Sequence, residues 1–177
     1  MAQKFIFLDR DGTLILDVPY LRDPKKVQLL EHVIEGLVHL KNAGFRFGIV
    51  TNQSGIDRGL VTLDELRVVN QHMCELFREF NLFFDFIAYC PHAPEKNCWC
   101  RKPKPELGLK AIKEFNVDVS ASFMIGDNDS DVEFGANLNL ATVRIKSHYP
   151  TKISSTYTSD NLLEASKQIE SFDDKAD

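Results

Sequence analysis

Two aspartates, Asp9 and Asp11, directly follow an apolar run at positions 5–8 and precede a glycine. The apolar run predicts a buried strand of a parallel sheet, and ligands of such sheets bind just outside the carboxyl ends of the strands. Carboxylates this close together repel each other unless a cation lies between them, and Mg²⁺ prefers oxygen ligands. The spacing therefore predicts that Asp9 and Asp11 form part of a magnesium site. An ordinary acidic turn at the end of a strand is the alternative.

Two further polar segments carry groups that suit a phosphoryl group. Residues 51–55 follow the next apolar run and offer a hydroxyl, amides and backbone N–H groups on a loop that contains glycine. Arg101 and Lys102 stand just before a helix start predicted at Pro105, where the compact charge of lysine and the helix dipole favour an anion. A polar turn and a solvated charged face are the respective alternatives.

A third acidic segment follows a later strand-like run and contains Asp127, Asp129 and Asp131. The spacing is similar to the start of a calcium-binding EF-hand loop, which needs Gly at its sixth position and Glu at its twelfth. This chain has Val132 and Leu138 at those positions, which excludes that loop. We expect instead that this segment joins the first acidic pair around Mg²⁺.

A separate metal site is predicted in residues 90–100, which we call the Cys/His loop. Cys90, His92, Cys98 and Cys100 offer three thiolates and one imidazole, the tetrahedral ligand set of a closed structural zinc site. In a reducing compartment such clustering favours metal over disulfides, and unrelated free thiols are the alternative. With four protein ligands the zinc would have no open position. Its role would be to stiffen the loop that leads into the basic segment.

The elements that must position these residues alternate along the chain. This alternation predicts an α/β fold, with a Rossmann-like parallel sheet sandwiched by helices in a single domain over residues 1–177. The segments between the motifs are too short for a cap domain. The predicted strands cover residues 5–8, 45–50, 84–89, 123–125 and 142–145, and the predicted helices about residues 31–42, 63–80, 105–115, 130–138 and 161–170. We expect a surface loop at residues 147–159 and an acidic tail at about 172–177.

Composition limits the classes of function. With 177 residues, of which 44% are hydrophobic, one domain with a substantial core is expected. A net charge of −5 argues against a nucleic-acid partner, which would need a basic face. No apolar run approaches the ~20 residues that cross a bilayer. We therefore expect a cytoplasmic protein, compatible with a monomer, that binds a small molecule and neither nucleic acid nor membrane.

The order of these motifs resembles the signature of the haloacid dehalogenase superfamily. DRDGT, TNQSG, RKPKP and GDNDSD occur in the order that this superfamily shows. The resemblance implies that Asp9 is a nucleophile that attacks phosphorus and forms an aspartyl-phosphate, and that Asp11 is the general acid and base. It also implies that Thr51 and Lys102 hold the phosphoryl oxygens.

The same resemblance implies a catalytic Mg²⁺ held by Asp9, Asp127 and the backbone carbonyl of Asp11. Asp131 would support the site by orienting Lys102 or a metal-bound water.

Within the superfamily, DVPYL, TNQSGIDRG and CPH…CWCRKPKP resemble the family of D-glycero-D-manno-heptose 1,7-bisphosphate 7-phosphatases. This resemblance implies a phosphorylated sugar as substrate. Histidinol-phosphate phosphatases are the close alternative, and a nucleic-acid 3′-phosphatase or a non-catalytic zinc module stay open as further alternatives. The predicted substrate-binding residues are Asp17, Tyr20, Asn52, Gln53, Ser54, Arg58 and Arg101.

Overall fold

The computed structural model of the chain describes residues 2–173, and within them six strands form one parallel sheet. In chain order the strands are β1 (Phe5–Leu8), β2 (Arg46–Asn52), β3 (Phe86–Cys90), β4 (Phe123–Gly126), β5 (Ala141–Ile145) and β6 (Tyr157–Ser159). The α-helices are α1 (Val33–Asn42), α2 (Leu63–Arg78), α3 (Glu106–Phe115), α4 (Asp129–Asn137) and α5 (Leu162–Asp173). Short 3-10 helices lie in the connections at Pro24–Lys26, Pro94–Lys96 and Val119–Ala121.

The predicted architecture is confirmed. All neighbouring strands run parallel, in the order β3-β2-β1-β4-β5-β6. The five predicted strands and five predicted helices all occur, displaced by a few residues at their ends. Helix α2 begins with the capping box that its sequence favours, because the Thr62 hydroxyl accepts from the Glu65 N–H and the Glu65 carboxylate accepts from the Thr62 N–H.

Two predictions about the C-terminal part need correction. The segment expected as a surface loop at 147–159 ends in the edge strand β6, which pairs with β5. Helix α5 also runs further than predicted, since the ring of Phe172 packs 5.5 Å from that of Phe123 and 6.4 Å from that of Tyr157. Residues 172 and 173 therefore belong to α5, and the rest of the predicted tail, residues 174–177, lies outside the described part of the chain.

The two faces of β1 carry two separate hydrophobic cores. Ile6 and Leu8 pack with apolar residues of α1, α2 and α5, whereas Phe5 and Phe7 pack with those of α3 and α4. All four side chains are fully buried. Since burial of one such side chain contributes roughly 1.5–3 kcal/mol, β1 is held firmly between the two helical layers.

The strand order places the chemistry-bearing motifs together. β1 lies between β2 and β4, so the carboxyl ends of these three strands meet at one edge of the sheet, where the strand order reverses. The backbone N–H of Asp9 donates to the Ile125 carbonyl at 2.9 Å, which joins the end of β1 to β4. Among residues 2–173, no helix combines the length and apolar character needed to cross a bilayer.

Candidate active site

A buried ammonium group links the motifs at this edge of the sheet. Lys102 Nζ lies 2.8 Å from Asp9 Oδ1 and 2.7 Å from Asp131 Oδ1, and it donates to the Val50 carbonyl at 2.6 Å. The side chains of Lys102 and Asp131 are almost wholly buried, and that of Asp9 is 13% exposed. The three N–H groups of this ammonium thus have three partners within hydrogen-bond distance, contributed by the end of β1, by β2 and by the first turn of α4.

The electrostatics of the cluster follow from burial and from like charges. Burial, followed by the charge of Asp131, raises the pKa of Asp9 to about 8 and that of Asp127 to about 7. Burial opposes the charge of Lys102, but the carboxylates of Asp131 and Asp9 outweigh it and raise the pKa of this lysine. A single ammonium group cannot balance three carboxylates once they are ionised, so their ionised form would need a further cation.

This acidic cluster fits a hard divalent cation. One carboxylate oxygen from each of Asp9, Asp127 and Asp131 lies within 4.8 Å of the others. Oxygen ligands from several carboxylates are the set that Mg²⁺ accepts. Of the predicted ligands, Asp9 and Asp127 are in the cluster through their side chains, whereas the side chain of Asp11 lies elsewhere. Any contribution from Asp11 would come from its backbone carbonyl, as predicted.

Two glycines let the backbone pack closely against this cluster. Gly12 has a φ of +76°, and a Cβ atom on it would lie 2.4 Å from Asp127 Oδ2. A Cβ atom on Gly126 would lie 2.3 Å from the Cβ atom of Asp131. Only glycine fits at either position, because the backbone must approach the buried carboxylates within contact distance.

The carboxylate of Asp11 is held by Arg10, a residue that sequence reasoning left without a role. Arg10 Nε and Nη2 donate to both Asp11 oxygens at 3.2 and 2.9 Å, and Arg10 Nη1 donates to Asn70 Oδ1 of α2 at 2.9 Å. The Arg10 side chain is 1% exposed. Gln53 Nε2 adds a bond of 2.8 Å to Asp11 Oδ2. The signal in the sequence was a cation between two aspartates at a buried strand end.

Residues at the end of β2 form hydrogen bonds that position both Asp11 and Lys102. Gln53 Nε2 also donates to Thr51 Oγ1 at 2.9 Å, which brings this hydroxyl next to Asp11. The amide of Asn52 accepts from the Lys102 N–H at 3.0 Å and donates to the Lys102 carbonyl at 3.2 Å. Asn52 therefore fixes the backbone of Lys102.

These residues surround an open cavity of about 260 Å³. Its wall includes the four predicted catalytic residues, which are Asp9, Asp11, Thr51 and Lys102, together with Asp127 and Asp131. Six of the seven predicted substrate-binding residues also line it: Asp17, Tyr20, Asn52, Gln53, Ser54 and Arg101.

Arg58 is the exception among the seven. Arg58 does not line the cavity, because its guanidinium pairs with the Glu95 carboxylate at 3.1 Å on the outside of the Cys/His loop.

Tyr149 also lines the cavity and was not predicted. Its hydroxyl donates to Asp17 Oδ2 at 2.7 Å. The Ser- and Thr-rich segment that contains it reads as a plain surface loop, so the sequence held no signal for this contact.

The Cys/His loop brings its four predicted ligands together. The three Sγ atoms lie 3.3–3.5 Å apart, and His92 Nδ1 lies 3.3 Å from Cys100 Sγ and 3.7 Å from Cys90 Sγ. These separations are too long for a disulfide, and they are close to the ~3.3–3.8 Å between ligand atoms that stand 2.0–2.3 Å from a tetrahedral centre. The donor set and its spacing fit Zn²⁺.

The loop is also tied to the cavity. Arg101 Nη1 donates to the His92 carbonyl at 3.1 Å, and Arg101 lines the cavity directly before Lys102.

Comparisons with known proteins agree with this geometry. The family model for haloacid dehalogenase-like hydrolases matches residues 17–139. A D-glycero-beta-D-manno-heptose-1,7-bisphosphate 7-phosphatase of Helicobacter pylori is 43% identical over 137 residues, which cover 77% of this chain and 79% of that protein. The histidine biosynthesis bifunctional protein HisB of Blochmanniella floridana is 38% identical over 147 residues, which cover 81% of this chain and 41% of that protein.

The fold is similar to a solved structure of a D,D-heptose 1,7-bisphosphate phosphatase from B. bronchiseptica in complex with magnesium and phosphate. The TM-score is 0.85 at 25% identity, and the match covers 96% of this chain and 99% of that one.

Proposed function

Since the chain belongs to the haloacid dehalogenase-like hydrolase family, we propose that it is a Mg²⁺-dependent phosphatase that removes the 7-phosphate from D-glycero-D-manno-heptose 1,7-bisphosphate. The observation that carries the chemistry is the convergence of Asp9, Thr51 and Lys102 on one cavity. The identity of the substrate is supported by the similarity of this chain to proteins named as heptose bisphosphate phosphatases.

In the first step a carboxylate oxygen of Asp9 attacks phosphorus. A bond forms between Asp9 and phosphorus while the bond from phosphorus to the sugar oxygen breaks, which gives an aspartyl-phosphate and the sugar alcohol. Asp11 gives its proton to the leaving sugar oxygen. Lys102 and Thr51 hold the phosphoryl oxygens, so an ammonium and a hydroxyl oppose the charge that develops there.

In the second step water attacks the phosphorus of the aspartyl-phosphate. Asp11 now accepts the proton of that water, the bond to Asp9 breaks, and phosphate leaves with Asp9 restored. Both oxygens of Asp11 accept N–H groups of Arg10. Asp11 must therefore release at least one of these bonds in order to reach the reacting oxygen.

Two metals fit the proposal. Mg²⁺ held by Asp9, Asp127 and the Asp11 carbonyl would supply positive charge against the phosphoryl oxygens. Zn²⁺ held by the Cys/His loop would be structural, because all four of its ligands come from the protein.

The residues around the mouth of the cavity suit a polar ester. We assign substrate contacts to Asp17, Tyr20, Gln53, Ser54 and Arg101, which line the wall beside the phosphoryl-binding groups. The proposed setting is a cytoplasmic monomer that acts on a small sugar phosphate, with neither nucleic acid nor membrane as a partner.

Phosphate release with Mg²⁺ tests the substrate directly. We expect kcat/KM for heptose 1,7-bisphosphate to exceed that for histidinol phosphate by at least about a hundredfold, the difference that two or three lost hydrogen bonds would make. Histidinol phosphate, the alternative expected from the sequence, is the second candidate, because the chain also matches a histidine biosynthesis protein. A reversed preference would assign the enzyme to histidine biosynthesis and reject the heptose substrate.

A further inference from the structure

Tyr149 lies in the β5–β6 connection, at a position fixed by the end of β4. The hydroxyl of Ser147 donates to the carbonyl of Asp127 at 3.1 Å, and the N–H of Tyr149 donates to the Ser147 hydroxyl at 3.3 Å. The backbone of Tyr149 is thus two hydrogen bonds away from Asp127, one of the three clustered carboxylates.

The other side of this connection is anchored to the same turn. Asp129 accepts from the backbone N–H groups of Lys152 and Ile153 at 3.0 and 3.3 Å. Arg144, which is almost fully buried, pairs with Asp129 and donates to the Ile153 carbonyl at 3.2 Å. Fixed on both sides, Tyr149 can hold one place in the cavity wall.

The phenol of Tyr149 contacts a carboxylate that comes from a different connection of the fold. Its hydroxyl donates to Asp17 Oδ2 at 2.7 Å, so the bond joins the β5–β6 connection to the β1–α1 connection. This hydrogen bond, together with burial, raises the pKa of Tyr149 to about 12. The phenol therefore stays protonated at neutral pH and continues to donate.

The pair offers acceptors to a ligand in the cavity. A carboxylate has two oxygens with about four lone-pair sites, and the phenol oxygen retains lone pairs while its proton points to Asp17. Tyr149 is half-buried and Asp17 is exposed, so both can be reached from the cavity that they line. Acceptors held in a fixed orientation suit ligands that carry several hydroxyl groups.

We propose that Tyr149 is a specificity-determining residue, which together with Asp17 selects phosphate esters of hydroxyl-rich alcohols. The selection rests on the proposed function, since it concerns the alcohol part of the ester that this site would hydrolyse. The phenol acts by holding the Asp17 carboxylate in place and by accepting from a substrate hydroxyl. The chemistry at phosphorus does not depend on Tyr149.

Substitution of Tyr149 by Phe removes the hydroxyl and keeps the ring. For heptose 1,7-bisphosphate we expect KM to rise about tenfold, the effect of one hydrogen bond, with kcat within about twofold of wild type. For p-nitrophenyl phosphate, whose leaving group carries no hydroxyl other than the esterified one, we expect KM and kcat to stay within about twofold of wild type. Tyr157→Phe is the matched control, because Tyr157 packs against Phe172 and does not line the cavity.

Two results would overturn the proposal. An equal loss with both esters would mean that Tyr149 acts through Asp127 and the shape of the site. Unchanged constants with both esters would mean that the Tyr149 hydroxyl does not contribute to substrate selection. Asp17→Asn combined with Tyr149→Phe adds a third readout, since we expect less loss than the product of the two single effects, and fully multiplicative effects would contradict a shared role.

The same measurements separate this proposal from the heptose assignment. If wild-type protein hydrolyses p-nitrophenyl phosphate but not heptose 1,7-bisphosphate, the assigned substrate is wrong. The Tyr149→Phe comparison is then made with a hexose phosphate that wild-type protein accepts, with the same expected tenfold rise in KM. If wild-type protein prefers p-nitrophenyl phosphate to every sugar phosphate tried, the proposed selection by Tyr149 and Asp17 is also wrong.

Discussion

Arg10 occupies the interior of the protein beside the acidic groups, where an unpaired guanidinium would be costly to bury. Its planar head satisfies this requirement by reaching both oxygens of Asp11 and the side-chain oxygen of Asn70 on α2. The arrangement connects the proposed acid–base residue to a helix of the scaffold. It thereby fixes where the carboxylate rests before and after proton transfer.

Replacement of Arg10 by Lys tests this role. An ammonium carries the same charge but cannot span Asp11 and Asn70 in the same fork, so we expect kcat to fall by about 10- to 100-fold with KM little changed. Steady-state kinetics with a thermal melt measures both function and folding. Arg67→Lys is the control, because Arg67 is exposed and pairs with the exposed Asp64. A full rate in the Arg10 variant would contradict the positioning of Asp11 by Arg10.

Replacement of Asp9 by Asn tests the nucleophile. The amide keeps the size of the side chain but cannot form the aspartyl-phosphate, so kcat should fall by at least about a thousandfold while the far-ultraviolet circular dichroism stays native. Asp64→Asn, at a highly exposed position, should leave turnover unchanged. Full residual activity in Asp9→Asn would remove Asp9 from the proposed reaction.

The buried carboxyl groups also predict how the stability of the metal-free protein depends on pH. The usual pKa of 3.8 applies in the unfolded chain, whereas burial raises the folded-state pKa of Asp9 to about 8 and that of Asp127 to about 7. The folded state therefore binds more protons between about pH 4 and pH 8. Its stability is complete below this window and is lost as the pH rises through it.

Thermal melts in the presence of a chelator can measure this loss. We expect the melting temperature to fall by about 5 °C or more between pH 5.5 and pH 8. Added Mg²⁺ should raise the melting temperature more at pH 8 than at pH 5.5. Asp9→Asn should flatten the dependence. A melting temperature that rises over this interval without metal would contradict the assigned direction.

Among the elements, the Cys/His loop connects β3 to the basic segment that begins at Arg101. The loop continues from Cys90 at the end of β3, and its last ligand, Cys100, is two residues from Lys102. Arg101 is bonded back to the His92 carbonyl. The position of the ammonium group thus depends on the shape of a loop that has no regular structure apart from one 3-10 turn at Pro94–Lys96.

Cys98→Ser should remove zinc and loosen this loop without unfolding the sheet. We expect bound zinc to fall below stoichiometric levels, KM to rise about tenfold, and amide exchange to quicken in residues 90–102 while β1 and β4 stay protected. Metal analysis and hydrogen exchange measure these effects, with Cys74→Ser in α2 as control. Loss of protection throughout the sheet would show instead that zinc supports the whole fold.

The fold could be predicted to the extent that apolar runs report burial. β1 is buried on both faces and reads as an uninterrupted apolar run, so its position was predicted correctly. β6 is a three-residue edge strand of Tyr-Thr-Ser whose central residue is exposed, and nothing in its composition distinguishes it from a loop. Phe172 extends α5 because its ring packs on the core, a tertiary contact that an acidic local sequence does not reveal.

At the scale of the whole molecule, the site could be predicted where topology alone brings residues together. Carboxyl ends of adjacent parallel strands share one edge, so Asp9, Thr51 and Asp127 converge as expected. Arg58 and Tyr149 depend instead on the path of long connections. The first turns outward to Glu95 and the second turns inward to Asp17, and no spacing rule distinguishes these outcomes.

The partners of the buried Lys102 ammonium group limit which ligands can bind in the cavity. Every proton of Lys102 Nζ already has an oxygen within reach, two of them on carboxylates. An incoming phosphoryl oxygen must displace one of these oxygens. The carboxylates of the protein therefore compete with the ligand for the ammonium group of Lys102. Neutral analogues of the substrate should therefore fail to displace a carboxylate oxygen from Lys102, and only strongly anionic inhibitors should bind there.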